Sequence, residues 1–246
     1  MKVVSGHQPV YLPWLGLIHK AKLSDVFIYM DDVQYLSEDW NNRNRIKTAQ
    51  GQPLWLTVPV DLKNSVTKTL KDILIATENV PEKKQWQNKH FLSLQSSYAR
   101  APFYKEYLPF FQWLYLEQKW EKLSDLNLAI LKQIFDWFKI STELIIASEM
   151  NFQGIKSDLV LEHGLKFAAD IVLTGMHGKD YIQVDQFREK GIRVIFQEYK
   201  HPTYEQRFGP FVSHLSFVDL LFQYGPEAEE ICLSGNLTRN ELEACS

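Results

Sequence analysis

Four short polar stretches follow apolar runs in the sequence, and each combines residue types used for chemistry at a protein surface. The first is Gly6-His7-Gln8-Pro9. Glycine permits a tight backbone and proline suits a helix start, so His7 and Gln8 are expected to project with free amides nearby. Histidine there can act as a general acid or base or donate to a phosphate; alternatively, it caps the turn. The second stretch is Asp31-Asp32. Paired carboxylates bind magnesium, orient a hydroxyl or amine, or accept a proton, and they serve equally as turn and N-cap residues. His7, Asp31 and Asp32 are the candidate catalytic residues.

The third stretch, Asn41-Asn42-Arg43-Asn44-Arg45-Ile46-Lys47, has basic and amide side chains with no acidic ones mixed in. Arginine offers a planar fork suited to phosphate or carboxylate, and asparagine adds neutral donors and acceptors. Anion binding through Asn42, Arg43, Asn44 and Arg45 is the expectation, with a small RNA-contacting patch as the alternative. The fourth, Thr174-Gly175-Met176-His177-Gly178-Lys179-Asp180-Tyr181, has two glycines and several donors. A loop of this kind can approach an anion with its backbone, although it lacks P-loop spacing and can be an ordinary turn. Gly175, His177, Lys179 and Tyr181 join Gln8 as candidate substrate-binding residues. His201, Tyr204 and Gln206 are added from His201-Pro202-Thr203-Tyr204-Glu205-Gln206. Ser216 and Asp219 stand as Ser-x-x-Asp before an apolar run, which reads as helix capping ahead of catalysis. No ligand-spaced His pair accompanies His7, His177 or His201, so no metal site is expected. A Gly-x-Ser-x-Gly elbow is missing, so a hydrolase triad lacks its signature.

These stretches matter because of the elements that must carry them. Residues 2–5 read as a strand, and Trp14, Leu17, Ile18, Ala21 and Leu23 recur at helical spacing. Lys20, further along that helix, is expected to lie outside the site. Residues 26–30 are nearly all apolar, as in a strand buried on both faces of a parallel sheet. Residues 42–48 and 54–60 flank Gln50-Gly51-Gln52-Pro53 and read as a β-hairpin, with Arg43, Arg45 and Lys47 on one face and Asn42, Asn44 and Ile46 on the other. Residues 81–140 read as three aromatic-rich helices, a helical insertion or cap whose aromatics are core. Strands at 143–147, 170–174 and 193–197 then alternate with helices near Ser157 and over 184–190, and residues 213–224 form a further helix. The fold class is α/β, with a Rossmann-like mostly parallel sheet, the helical insertion and the hairpin, all within one domain over residues 1–246. In such sheets ligands bind outside the carboxyl ends of strands, where the four polar stretches are expected to fall.

Composition sets limits on function. The chain carries 27 Lys and Arg against 30 Asp and Glu, a formal charge of -3, which argues against bulk electrostatic binding to nucleic acid or an anionic membrane. Cys232 and Cys245 form no Cys-x-x-Cys pair, so neither zinc nor a redox centre is indicated. The N-terminus has no signal-peptide apolar run and no later stretch reaches transmembrane length, so a cytoplasmic protein without membrane insertion is expected.

Longer motifs carry a resemblance. Gly6-His7-Gln8-Pro9-Val10-Tyr11-Leu12-Pro13-Trp14-Leu15-Gly16, Asp31-Asp32-Val33-Gln34-Tyr35, Asn42-Arg43-Asn44-Arg45-Ile46-Lys47, Trp55-Leu56-Thr57-Val58-Pro59-Val60, Ser97-Tyr98-Ala99-Arg100-Ala101-Pro102-Phe103-Tyr104 and Leu215-Ser216-Phe217-Val218-Asp219-Leu220-Leu221 resemble the WbqC-like proteins of bacteria. The resemblance covers roughly residues 3–225. It implies a place in O-antigen or other surface-polysaccharide biosynthesis, with transfer of glycine to an amino sugar. The strand-His-Gln-Pro-helix opening is also distantly similar to nucleotidylyl transferases, from which it departs by having one histidine in place of a His-x-Gly-His pair. The leading expectation is a transferase that acylates an amino group on a nucleotide-linked or lipid-linked sugar, with a nucleotide sugar as candidate substrate and aminoacyl-tRNA as a candidate donor. The alternatives are a nucleotidyl transferase or ATP-dependent ligase, and a sugar-nucleotide binding module without catalysis. The sequence names no cofactor.

Overall fold

The structure, a computed structural model, describes residues 1–77, 79 and 81–244; Cys245 lies outside the described residues. In chain order the elements are β1 (Val3–His7), α1 (Leu15–Lys22), β2 (Val26–Tyr29), β3 (Arg43–Lys47), β4 (Pro53–Thr57), β5 (Val60–Asp61), β6 (Leu74–Ile75), α2 (Trp86–Tyr98), α3 (Tyr104–Gln112), α4 (Leu123–Trp137), β7 (Glu143–Ile146), α5 (Ser157–Lys166), β8 (Ile171–Gly175), α6 (Val184–Glu189), β9 (Arg193–Gln197), α7 (Phe217–Tyr224), α8 (Ala228–Leu233) and α9 (Arg239–Ala244).

The apolar runs become a five-stranded parallel sheet in the order β7-β2-β1-β8-β9, and the hairpin β3-β4 forms a separate antiparallel pair. The α/β class, the parallel sheet and the hairpin are as expected from the sequence. In this order the chain moves outward from β1 through β2 to β7, then crosses back to lay β8 on the other side of β1. The strand order therefore reverses between β1 and β8, the position at which open α/β sheets leave a crevice. Pairing shows the same split. β1 follows β2 as far as His7 opposite Tyr29, but follows β8 only to Ser5 opposite Leu173.

Alternation along the strands divides the core. Phe27 and Tyr29 belong to a large cluster with Leu17 and Ile18 of α1, Leu126, Ile130 and Ile134 of α4, and Phe217, Leu220 and Leu221 of α7. Val4, Val26, Ile28 and Val172 face the other way, against Phe187 and Ile192. The apolar positions of α4 recur three or four apart because only that spacing keeps them on one helical stripe. Between β6 and β7 the three expected helices form, and α3 continues into a π-helical turn over Trp113–Glu117 that buries Leu114 and Tyr115. The first strand runs two residues further than the sequence predicts, so His7 is its last residue and is not a loop residue. The helix predicted from residue 213 starts instead at Phe217, because the Ser216 hydroxyl accepts from the Val218 N–H and caps it.

Candidate functional site

His7 ends the strand at the centre of the sheet. Its Nδ1 lies 2.9 Å from the Gln8 carbonyl oxygen. A carbonyl only accepts, so Nδ1 carries the proton and Nε2 presents a lone pair. The ring stands edge-on to Trp14 at 5.2 Å. Burial, with Lys20 nearby, lowers its pKa to about 3, so the imidazole is neutral at physiological pH. Lys20 is brought to the same strand end, against the expectation from sequence: its Nζ donates to the Gly6 carbonyl at 2.9 Å, and burial lowers its pKa to about 7.

From His7 a row of rings leads to the hairpin. Trp14 and Trp40 have centroids 6.0 Å apart, and Trp40 and Trp55 5.4 Å. The hairpin register sets Arg45 directly opposite Trp55 and Arg43 one step along the same face, diagonal to it. The guanidinium carbons accordingly lie 5.4 Å and 4.8 Å from the Trp55 ring, and Arg45 is also 6.0 Å from Trp40. Each contact contributes about 0.5–1 kcal/mol at an exposed site. Neither arginine pairs with a carboxylate among the described residues. Arg43 donates to the Glu38 carbonyl and Arg45 to that of His214 at 3.3 Å, and both Nε atoms lack a partner. Trp55 is 45% exposed, so the end of the row is open to solvent.

The other residues of this stretch hold it in place. The Asn42 amide donates to the Val58 carbonyl at 2.8 Å and the Asn44 amide to that of Leu12 at 2.6 Å, which ties the hairpin to the loop after β1. The Gln8 side chain receives the Asn41 amide at 3.4 Å. Lys47 leaves the arginine face, because the 206–210 segment folds over the strand end: it is buried and donates to the Pro210 carbonyl at 2.7 Å and to Gln206 at 3.3 Å.

The two aspartates differ. The Asp31 carboxylate accepts both the N–H and the hydroxyl of Ser148, at 2.9 and 2.7 Å, and so joins the ends of β2 and β7. Asp32 keeps an unpartnered buried oxygen, and burial raises its pKa above the ordinary value.

The 175–181 loop turns outward. His177 is fully exposed beside Asp180, Lys179 pairs with Glu198 at 3.4 Å, and Tyr181 is 39% exposed with its pKa raised by burial of the ring. A Cβ on Gly175 would meet nothing within 4 Å, so open space remains in front of it. Beyond β9, His201 lies 4.9 Å from His214 and stacks over Tyr204, with its pKa lowered by burial. Tyr204 donates to buried Asp219 at 3.0 Å and Gln206 closes its own loop through Val212, so these two are internal supports.

His7, Arg43, Arg45 and His201 are thus linked by a chain of contacts through Trp14, Trp40, Trp55 and His214. Of the 175–181 loop, His177 and Lys179 turn away to solvent, whereas Tyr181 lines a small cavity with Gly6 and Met30 at the end of β1. Sequence reasoning missed Lys20, the three tryptophans and His163, a 3%-exposed residue of α5 whose Nε2 has no partner. The signal for Trp55 was available, since a hairpin with Gln50-Gly51-Gln52-Pro53 as its turn sets Arg45 near Trp55. Lys20 and His163 carried none, because each is one of several polar residues in its helix and nothing local sets it apart from its neighbours. Among the described residues no three His, Cys, Asp or Glu side chains are placed to share a metal ion, and no helix is long and apolar enough to cross a membrane.

The chain is 33% identical over 231 residues to the uncharacterized protein Rv1507c of Mycobacterium tuberculosis, an alignment that covers 94% of this chain and 97% of the relative. No solved structure matches the chain. The WbqC-like protein family matches residues 8–231, and the chain belongs to that family.

Proposed function

We propose that the protein is a transferase that acylates the amino group of a nucleotide-linked or lipid-linked sugar, with glycine as a candidate acyl group. The observation that carries the binding half of this reading is the row from His7 to Trp55 flanked by Arg43 and Arg45. Sugar rings stack on exposed indoles, and guanidiniums free of carboxylate partners take phosphate oxygens in bidentate fashion. The acyl-transfer half draws on the family resemblance.

In this scheme the phosphates of the acceptor lie on Arg43 and Arg45, the sugar covers Trp55 and Trp40, and its amine reaches the end of β1. There the Nε2 lone pair of His7 accepts an amine N–H and orients the nitrogen. The amine nitrogen attacks the acyl carbonyl carbon, the new C–N bond forms, and the bond to the leaving group breaks. A histidine with a pKa of about 3 is a poor final proton acceptor at neutral pH. The Asp32 carboxylate, with its unpartnered oxygen at the neighbouring strand end, takes that role.

Titration of a UDP-linked amino sugar onto wild type and Arg43→Ala by calorimetry tests the binding half, with at least tenfold weaker binding expected in the variant. Incubation with an activated glycine donor then tests the reaction. Equal affinity in both proteins removes the arginine face from the site. The absence of acylated product from wild type, with the sugar bound, removes the acyl-transfer reading in favour of nucleotidyl transfer, which release of pyrophosphate from ATP or CTP reports.

A further inference from the structure

Beside the end of α7 lies a cavity of about 300 Å3, lined by Pro102, Glu205, Gln206, Arg207, Gln223 and Tyr224. Small-molecule sites begin at about that volume, so it suits a compact ligand. The amide and hydroxyl side chains of its wall are all occupied by the fold. The Tyr224 hydroxyl accepts from the Glu205 N–H at 3.0 Å and donates to the Glu205 carbonyl at 3.3 Å. Gln206 is closed in both directions on the Val212 backbone, at 2.9 and 2.8 Å, and its oxygen also receives Lys47. The Gln223 side-chain oxygen accepts from the Arg207 N–H at 3.1 Å, and its amide donates to Asp219 at 3.4 Å. These bonds pin the backbone of residues 205–207 and so fix where the Glu205 and Arg207 side chains start.

The two charged side chains are left over. Neither the Glu205 carboxylate nor the Arg207 guanidinium bonds or pairs with a protein polar group among the described residues, and they form no ion pair with each other. The guanidinium carbon lies 5.2 Å from the Phe208 ring centroid, and the Arg207 Nε is buried without a partner. An unsatisfied buried donor is costly to keep. Phe208 holds a left-handed φ of 64°, a strained value for an aromatic residue, and its carbonyl abuts Gly51 of the hairpin turn so closely that a Cβ there would collide. Backbone strain of this kind gathers at ligand sites, where the surrounding structure enforces it.

We infer that this cavity binds a small zwitterion of the free α-amino acid class, with its ammonium on Glu205, its carboxylate on Arg207 and an uncharged side chain against Pro102 and the Tyr224 ring. A ligand with one charge is attracted by one of the two free groups and repelled by the other, whereas a zwitterion meets both. The planar fork of arginine takes the two carboxylate oxygens side by side. A charged side chain would find no third free group, since the remaining polar groups of the wall are already bonded. The inference uses none of the residues of the His7–Trp55 row and does not depend on acyl transfer.

Equilibrium dialysis at neutral pH tests it, with radiolabelled glycine, alanine, serine, leucine and phenylalanine as separate probes. At least one is expected to bind saturably, and its N-acetyl and carboxamide derivatives, which each lack one charge, at least tenfold more weakly. Glu205→Gln and, separately, Arg207→Met are expected to weaken binding at least tenfold with Tm unchanged, because neither side chain has a protein partner to lose. Arg43→Ala, which tests the proposed acceptor face, is expected to bind the amino acid as wild type does. Binding of none of the five probes, derivatives that bind as well as the free amino acid, or a folded Glu205 or Arg207 variant with wild-type affinity overturns the assignment.

Discussion

Replacing Lys20 with methionine should stabilise the protein in mildly acidic buffer and lose that advantage in alkali. Burial lowers the Lys20 pKa from 10.5 to about 7. Those roughly 3.5 units correspond to about 5 kcal/mol spent holding the ammonium inside the fold, an upper figure. The cost is fully present below pH 7, where folded and unfolded chains are both protonated. It is relieved as pH rises through 7, because the folded chain then sheds a proton that the unfolded chain keeps until about pH 10. Methionine has a similar unbranched shape and fits the same channel, while the Gly6 carbonyl loses its donor at a cost of about 1–2 kcal/mol. The net gain at pH 6 is therefore about 3 kcal/mol, or roughly 6–12 °C in Tm for a chain of this size. At pH 9 about two units of the shift have been recovered, near 3 kcal/mol, and the two proteins should melt together. Paired calorimetric melts of wild type and Lys20→Met from pH 6 to pH 9 give the difference directly, since the other titrating groups are common to both. A gap that does not change with pH, or a variant that melts lower at pH 6, refutes the buried-ammonium argument.

Two further outcomes follow from the buried polar groups. The His7 imidazole should stay neutral well below its ordinary range, so in NMR between pH 5 and 8 its ring signals should show only the small displacement caused by loss of the neighbouring Lys20 charge near pH 7; a change as large as imidazole protonation gives would mean that the strand end is far more hydrated than it is here. Asp219→Leu should cost more than about 3 kcal/mol in urea unfolding, because it strips the acceptor from the Tyr98 hydroxyl at 2.9 Å and the Tyr204 hydroxyl at 3.0 Å and leaves buried Lys47 without a nearby negative charge. A cost below about 1 kcal/mol would mean that these hydroxyls find other partners.

The sheet could be read from the sequence because each of its strands is an apolar run with a polar terminus, and a strand buried on both faces leaves that mark. The hairpin could be read because alternation separates Arg43 and Arg45 from Asn44 and Ile46, and the structure buries the latter pair completely. Side-chain partners are a different matter. Asp31 and Asp32 look identical in sequence, and only the position of Ser148, more than a hundred residues away, occupies one and frees the other. Lys47 looks like its arginine neighbours until the 206–210 segment covers it. Lys20 reads as a solvated helical lysine because nothing local records that α1 is buried on all sides. In each case the deciding contact is distant in sequence, so no local pattern encodes it.

The helices inserted between β6 and β7 bear on how a ligand reaches this face. Helices α2 and α4 and the π-helical turn after α3 carry buried polar groups that bond the loop after β1, Asn41 or the end of β2. His90 of α2 lies 2.8 Å from the Tyr11 hydroxyl, which also meets Tyr115 of the π-helical turn after α3. Asn127 of α4 donates to the Asn41 carbonyl at 2.8 Å, Asn41 donates onward to that of Pro9 at 2.8 Å, and the Tyr29 hydroxyl donates to the Ser124 carbonyl at 2.7 Å. A lid that opens must break its contacts cheaply, which requires few buried polar bonds. Here each broken bond strands a buried group at about 1–3 kcal/mol, and there are several. The insertion therefore braces the loop that carries Gln8 and Trp14 and moves with it. On the proposed reading a ligand enters from the side where Trp55 and the two guanidiniums meet solvent, and not by displacement of the helices.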